Sequence, residues 1–92
     1  MAEYLVELYL PRADEATAQR REEQARLAAQ QVTSEGTLVR YLQSIFVPEE
    51  ETCFYLYEAA SPDAVREAAR RAQLPCDRVT EAISRPKGET PY

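Results

Sequence analysis

A glutamate interrupts the apolar pattern of the first strand-like run. In EYLVELYL, residues 3–10, Glu7 falls between Leu5 and Tyr9 at the alternating spacing that puts all three on one face. A carboxylate there is costly unless paired or solvated. It reads either as an ion-pair partner, for instance of Arg40, or as a ligand contact or general base. A second reactive set lies in TCFYLYEA, residues 52–59, where Cys53, Tyr55 and Tyr57 recur every two residues. Arg40 and Ser44 sit at even spacing in LVRYLQSIFV, residues 38–47. Phenols, a guanidinium, a hydroxyl and a carboxylate on one surface could orient a small ligand, or stabilise a developing enolate or phenolate oxygen. Glu7 and Cys53 could instead serve a metal ion as carboxylate and thiolate ligands. The plainer readings are packing for the tyrosines and a small buried hydrophobe for Cys53.

Composition removes other chemistries. The chain has no histidine. That excludes Ser-His-Asp, Cys-His and HExxH arrangements and takes away the commonest transition-metal ligand. The glycines are Gly36 and Gly88 alone, too few for a phosphate-cradling loop. A net charge of −5, with arginines scattered through two helical segments, opposes nucleic acid as a partner. No apolar run approaches the ~20 residues that span a bilayer. The N-terminus enters a strand pattern directly, with no basic-then-apolar leader, so a cytoplasmic protein is expected. Cys53 and Cys76 are then expected as free thiols.

The elements that must position these residues are legible. Residues 3–10 alternate, with Tyr4, Val6, Leu8 and Leu10 on the face opposite Glu7, and Pro11 as a stop. Asp14 can cap a helix running to about Ser34, with Gly36 beyond it and a shallow apolar stripe of Ala25, Ala28, Ala29 and Val32. Two strands, 38–47 and 52–59, flank the acidic turn Pro48-Glu49-Glu50-Glu51, which reads as a solvated hairpin tip. Placing Val47 against Thr52 pairs Phe46 with Cys53, Ser44 with Tyr55 and Leu42 with Tyr57; a loop shifted by one residue would reverse the faces of the second strand. Ser61-Pro62-Asp63 starts a second helix, with Ala64, Val65, Ala68, Ala69 and Ala72 inward and Arg66, Glu67, Arg70 and Arg71 outward. Leu74-Pro75 ends it, and residues 79–83 form the last strand.

This β-α-β-β-α-β order predicts an α+β, ferredoxin-like fold: a four-stranded antiparallel sheet with two helices on one face. Ninety-two residues make one domain, 1–84, followed by a flexible tail, 85–92. A domain this small is marginal without a partner. On the uncovered side the pattern places Leu5, Tyr9, Leu42, Phe46, Tyr55 and Tyr57, with Glu7, Arg40, Ser44 and Cys53 among them. Ile45, Val47, Phe54 and Leu56 then lie under the helices. So apolar a surface predicts a homodimer in which two sheets face each other, as in dimeric α+β barrels, with a core or a pocket between them.

The runs SIFVPEEETCFYLYEA (44–59), SPDAVREAARRA (61–72) and LPCDRV (74–79) resemble a small bacterial family of unassigned function that includes actinobacterial nickel-binding proteins. The resemblance extends from Leu5 to about Ile83. It implies the ferredoxin-like fold, a dimer, and nickel as a cofactor. The imidazoles that nickel favours would be sought near Gln43 and Ala68, and neither position is histidine.

Three functions are expected to compete. The first is a homodimeric binding protein holding a small ligand or metal ion between its sheets, at Glu7, Tyr9, Arg40, Ser44, Tyr55 and Tyr57, or for a metal at Glu7 and Cys53. The second is a cofactor-free isomerase, cyclase or monooxygenase-like enzyme, with Glu7 as base and Tyr9, Tyr55 or Arg40 stabilising the oxyanion. The third is a structural module with closed sheets, docking through its arginine-bearing helix.

Overall fold

A computed structural model describes residues 1–10, 15–74 and 78–83. Among these, β1 (Ala2–Tyr9), α1 (Glu15–Ser34), β2 (Val39–Val47), a single 3-10 turn (Pro48–Glu50), β3 (Thr52–Ala59), α2 (Pro62–Arg71) and β4 (Arg78–Ala82) follow in order. The sheet runs β2-β3-β1-β4, every neighbour antiparallel. Both helices lie over one face, so the ferredoxin-like plan holds. Asp14, Pro11, Pro75, Cys76 and the tail lie outside the described residues. No helix among the described residues is long and apolar enough to cross a membrane.

Local chemistry fixes the helix ends. Ser61 caps α2, its hydroxyl accepting from the Ala64 amide at 3.3 Å, with Pro62 next in line. The other end closes as a Schellman motif: the Leu74 amide donates to the Ala69 carbonyl and the Gln73 amide to that of Arg70, each at 3.0 Å. Gln73 takes the left-handed conformation (φ 59°) that this cap demands. α1 ends the same way around Gly36 (φ 109°), with Gly36 donating to Thr33 and Thr37 to Val32. Thr33 then fastens the helix end to the sheet, its hydroxyl donating to the Val39 carbonyl at 2.7 Å and accepting from the Val39 amide at 3.1 Å.

The buried stripe of α1 is Ala25, Ala28, Ala29 and Val32, as the spacing predicts. That of α2 is Ala64, Val65, Ala68 and Ala69. Alanines leave volume beneath both helices that large sheet residues must fill. Tyr4, Val6 and Leu8 of β1 and Tyr55 and Tyr57 of β3 do so, each buried.

This reverses one expectation. The hairpin pairs Val47 with Thr52, Phe46 with Cys53 and Ser44 with Tyr55, the register anticipated from sequence. The face is the opposite one. β1 sets Leu8 against Cys53, Val6 against Tyr55 and Tyr4 against Tyr57, so Cys53, Tyr55 and Tyr57 lie under the helices. Phe54 and Leu56, with Ile45 and Val47, occupy the open face instead. Alternation sorts residues into two sets; here both sets are apolar, and the alanine-lined helices decide that the bulky tyrosines go inward.

A second difference is a bulge in β2. Tyr41, not Leu42, pairs with Tyr57, and Gln43 pairs with Leu56, leaving Leu42 as the extra residue. The inserted residue inverts the alternation. Upstream, Arg40 is open-face and Tyr41 inward; downstream, Ser44 and Phe46 are inward.

Candidate functional site

The predicted site residues fall into two groups on opposite sides of the sheet. The open face carries Glu7, Tyr9 and Arg40. Glu7 stands between Phe54 and Arg78 in the ladders and makes no ion pair among the described residues. Arg40 pairs instead with its cross-strand partner Glu58, at 3.1 Å. β3 separates Arg40 from β1, so the expected Glu7–Arg40 pair does not form. Tyr9 is 60% exposed, and Ile45 (52%) and Leu42 (38%) are further large uncovered side chains of this face. Leu5, Val47, Phe54 and Leu56 are half-buried between them.

The covered face carries Ser44, Cys53, Tyr55 and Tyr57. Cys53 is a free thiol, 1% exposed. Burial, opposed by Tyr55 and reinforced by the Glu22 carboxylate, pushes its pKa up. It is therefore protonated and poorly placed to act as a nucleophile or ligand. Tyr55 is fully buried, and burial first, then Cys53, raises its phenol above the usual range.

Tyr41, which the sequence reading left out, joins this group from β2. Its ring lies 6.2 Å from Tyr55 and 5.7 Å from Tyr57 between centroids, tilted and edge-on respectively. The hydroxyls of Tyr41 and Tyr55 are buried and make no hydrogen bond within 3.5 Å. Burial raises the Tyr41 phenol above the usual range, with Ser44 acting against the shift and Glu22 adding to it. Glu22 was also missed. A signal existed: Ala18, Glu22, Ala25, Ala29 and Val32 follow one another at three- and four-residue steps, so Glu22 sits on the inward stripe of α1.

This arrangement separates what the earlier hypotheses combined. Glu7 can share a ligand with Tyr9, but not with Tyr55 or Tyr57 of the same chain. The acid–base constellation of Glu7 with those hydroxyls is therefore not assembled within one chain.

The comparisons with known proteins bear on fold and family. The profile described as nickel responsive protein SCO4226-like matches residues 4–82. The chain belongs to this SCO4226-like family. The crystal structure of SCO4226 from Streptomyces coelicolor A3(2) is similar in fold, with a TM-score of 0.71 at 22% identity, covering 91% of this chain and 100% of that one. No curated protein matches the chain.

The family description makes nickel the metal to test against the donors present. Among the described residues they do not fit a site within one chain. Among the described residues, no three acidic or cysteine side chains gather closely enough to hold an ion. Glu7 and Cys53, the pair expected from sequence, face opposite ways, and the sheet lies between them.

Proposed function

We propose that the chain is a cytoplasmic homodimeric binding protein of the nickel-responsive family that closes its open sheet face against a second copy and holds a small ligand between the two sheets. The observation that carries this is the uncovered face itself. Ile45, Leu42 and Tyr9 are substantially exposed beside Phe54, Leu56, Leu5 and Val47. A continuous apolar surface of this kind in a small domain calls for a partner. The charged pair Arg40–Glu58 and the Glu7 and Arg78 side chains bracket it and supply polar contacts for an enclosed molecule. The face is two-sided in chemistry: apolar enough to pack, with a carboxylate and a phenol, Glu7 and Tyr9, left to orient a guest.

The test is native mass spectrometry of the purified protein before and after nickel addition, alongside sedimentation of the wild type and Ile45→Glu. A dimer that Ile45→Glu dissociates, with a small molecule retained in the dimer alone, is expected. A wild-type monomer at micromolar concentration would refute the reading. A metal stoichiometrically bound by the dimer would replace the small-ligand occupant with a metal site shared between protomers.

A further inference from the structure

The apolar open face carries a charge near its middle that the fold leaves unanswered. Glu7 lies on the inner strand β1, with Leu5 and Tyr9 next to it along the strand and Phe54 beside it on β3. On its other side stands Arg78 of the edge strand β4, directly opposite in the ladder and therefore on the same face. Opposite charges at such positions normally attract one another. Here they make no ion pair with each other or with any other described residue, and both are exposed. The other described guanidinium of this face, Arg40 on β2, is taken by Glu58 of β3. In the free chain water solvates Glu7 and Arg78. Covering the face with an apolar surface strips that water, and a carboxylate desolvated without a counter-charge is strongly disfavoured. A second copy of the same face brings the counter-charge with it, because it carries a guanidinium beside its own carboxylate.

We propose that Glu7 of each chain pairs with the partner's Arg78 across the dimer contact, an inference that rests on the reading of the open face given above. The candidate site of Glu7 and Tyr9 is then incomplete in one chain and completed by the second copy. A two-fold axis repeats every contact, so one carboxylate–guanidinium pair becomes two. The register suits this. Arg78 sits one strand outward from Glu7, at the same level. When sheets pack face to face with their strands crossing near right angles, a step across strands in one copy becomes a step along a strand in the other. A two-fold close to Glu7 thus carries the partner's Arg78 over β1, between Glu7 and Tyr9. The step of about 4.8 Å between strands is shorter than the roughly 6.8 Å from Glu7 to Tyr9 along β1, so the guanidinium reaches both the carboxylate and the phenol oxygen. The same crossing carries Ile45, two strands away on the other side, the opposite way along β1, toward Leu5. The apolar contact is therefore kept, and the four charges at its centre cancel.

The experiment exchanges the charges in the full chain. Sedimentation follows dimerisation, native mass spectrometry reads the composition of each dimer, and circular dichroism checks that every variant is folded. Glu7→Arg alone and Arg78→Glu alone should each weaken the dimer by about a hundredfold or more, because each sets like charges against one another across the contact. Mixed in equal amounts, the two variants should combine as a heterodimer, since every charge in the contact then meets its opposite. Both exchanges in one chain, Glu7→Arg with Arg78→Glu, should restore the homodimer. Single variants that dimerise as tightly as the wild type would overturn the pairing and leave the dimer standing. Folded single variants that do not combine when mixed would overturn it as well, most directly if the double exchange still dimerises, which is the behaviour of a pair closed within each chain. A wild-type monomer would overturn the pairing and the dimer together.

Discussion

Glu7 and Cys53 project from opposite faces of the sheet. The register partner of Cys53 on β1 is Leu8, and that of Glu7 is Phe54. The one-residue offset is enough, because neighbouring strand positions point to opposite sides. The thiol is enclosed and held protonated by burial. Cys53→Ala should therefore leave nickel uptake by native mass spectrometry unchanged while lowering stability by about 1 kcal/mol, the cost of a small core truncation. Alkylation mapped by peptide mass spectrometry should find Cys53 protected until the protein unfolds. Loss of bound nickel in this variant would count against the placement.

Acid should loosen the junction between the two helices. The Arg71 guanidinium holds Glu35, beyond the end of α1, through two contacts of 2.6 Å, and Glu67 of its own helix at 2.8 Å. Hydrogen bonds from Arg70 and Arg71 lower the Glu67 carboxyl from 4.5 to about 2, and Arg71 lowers Glu35 as well. Carboxylates depressed in the folded state contribute stability that is full above the unfolded value. It is lost as pH falls toward the folded one. The melting temperature of Arg71→Met should lie below that of the wild type at neutral pH. The gap should narrow from about pH 4.5 down to about pH 2. Glu35 is exposed and Glu67 and Arg71 are partly so, and the gap should also shrink in high salt.

The two helix caps invite opposite substitutions. Gln73 occupies a left-handed position that glycine adopts without a steric penalty (φ 59°). Gln73→Gly should stabilise the fold by about 0.5–1 kcal/mol in urea denaturation. Gly36 has open space where a Cβ would stand, so its constraint is the backbone alone (φ 109°). Gly36→Ala should cost about 1 kcal/mol or more. Equal effects of the two changes would show that the caps do not govern the ends of these helices.

The small helix residues and large sheet residues form one packing unit. Ala68 is fully buried on α2. Ala68→Leu should destabilise by about 1–3 kcal/mol through overpacking. Thermal melts of this variant beside Leu27→Ala, an exposed position on α1, give the contrast; the second change should shift little.

Much of the fold was legible in the sequence because it is written in local chemistry. β3 spans the residues expected for it, and β2 falls one residue short of its expected start. Ser61 and Gly36 mark helix ends through well-understood caps, and the alanine stripes of both helices are the buried ones. The hairpin pairing was one of two registers that the turn sequence leaves open, and the structure adopts it from Val47–Thr52 as far as Ser44–Tyr55. The side of the sheet did not follow, because Phe54 and Leu56 are as suited to a core as Tyr55 and Tyr57. Only the size of what packs above them separates the two sets. The bulge at Leu42 was hidden as well: no glycine or proline marks it, and leucine there looks like any other strand residue. The candidate residues were consequently divided between two surfaces. Tyr41, turned inward ahead of the bulge, joined the covered one.

Leu42 also gives the edge strand an unusual mutational grammar. In a regular strand, removing one residue would shift every side chain beyond it to the other face. In β2 the insertion already separates Arg40, turned outward, from Ser44 and Phe46, turned inward. Deleting Leu42 would restore unbroken alternation and force a choice, sending either the guanidinium toward the core or the serine and phenylalanine out of it. A single-codon deletion at this point would thus exchange side chains between the covered and the open face in one step. Ordinary point substitutions at the same position would leave both surfaces in place.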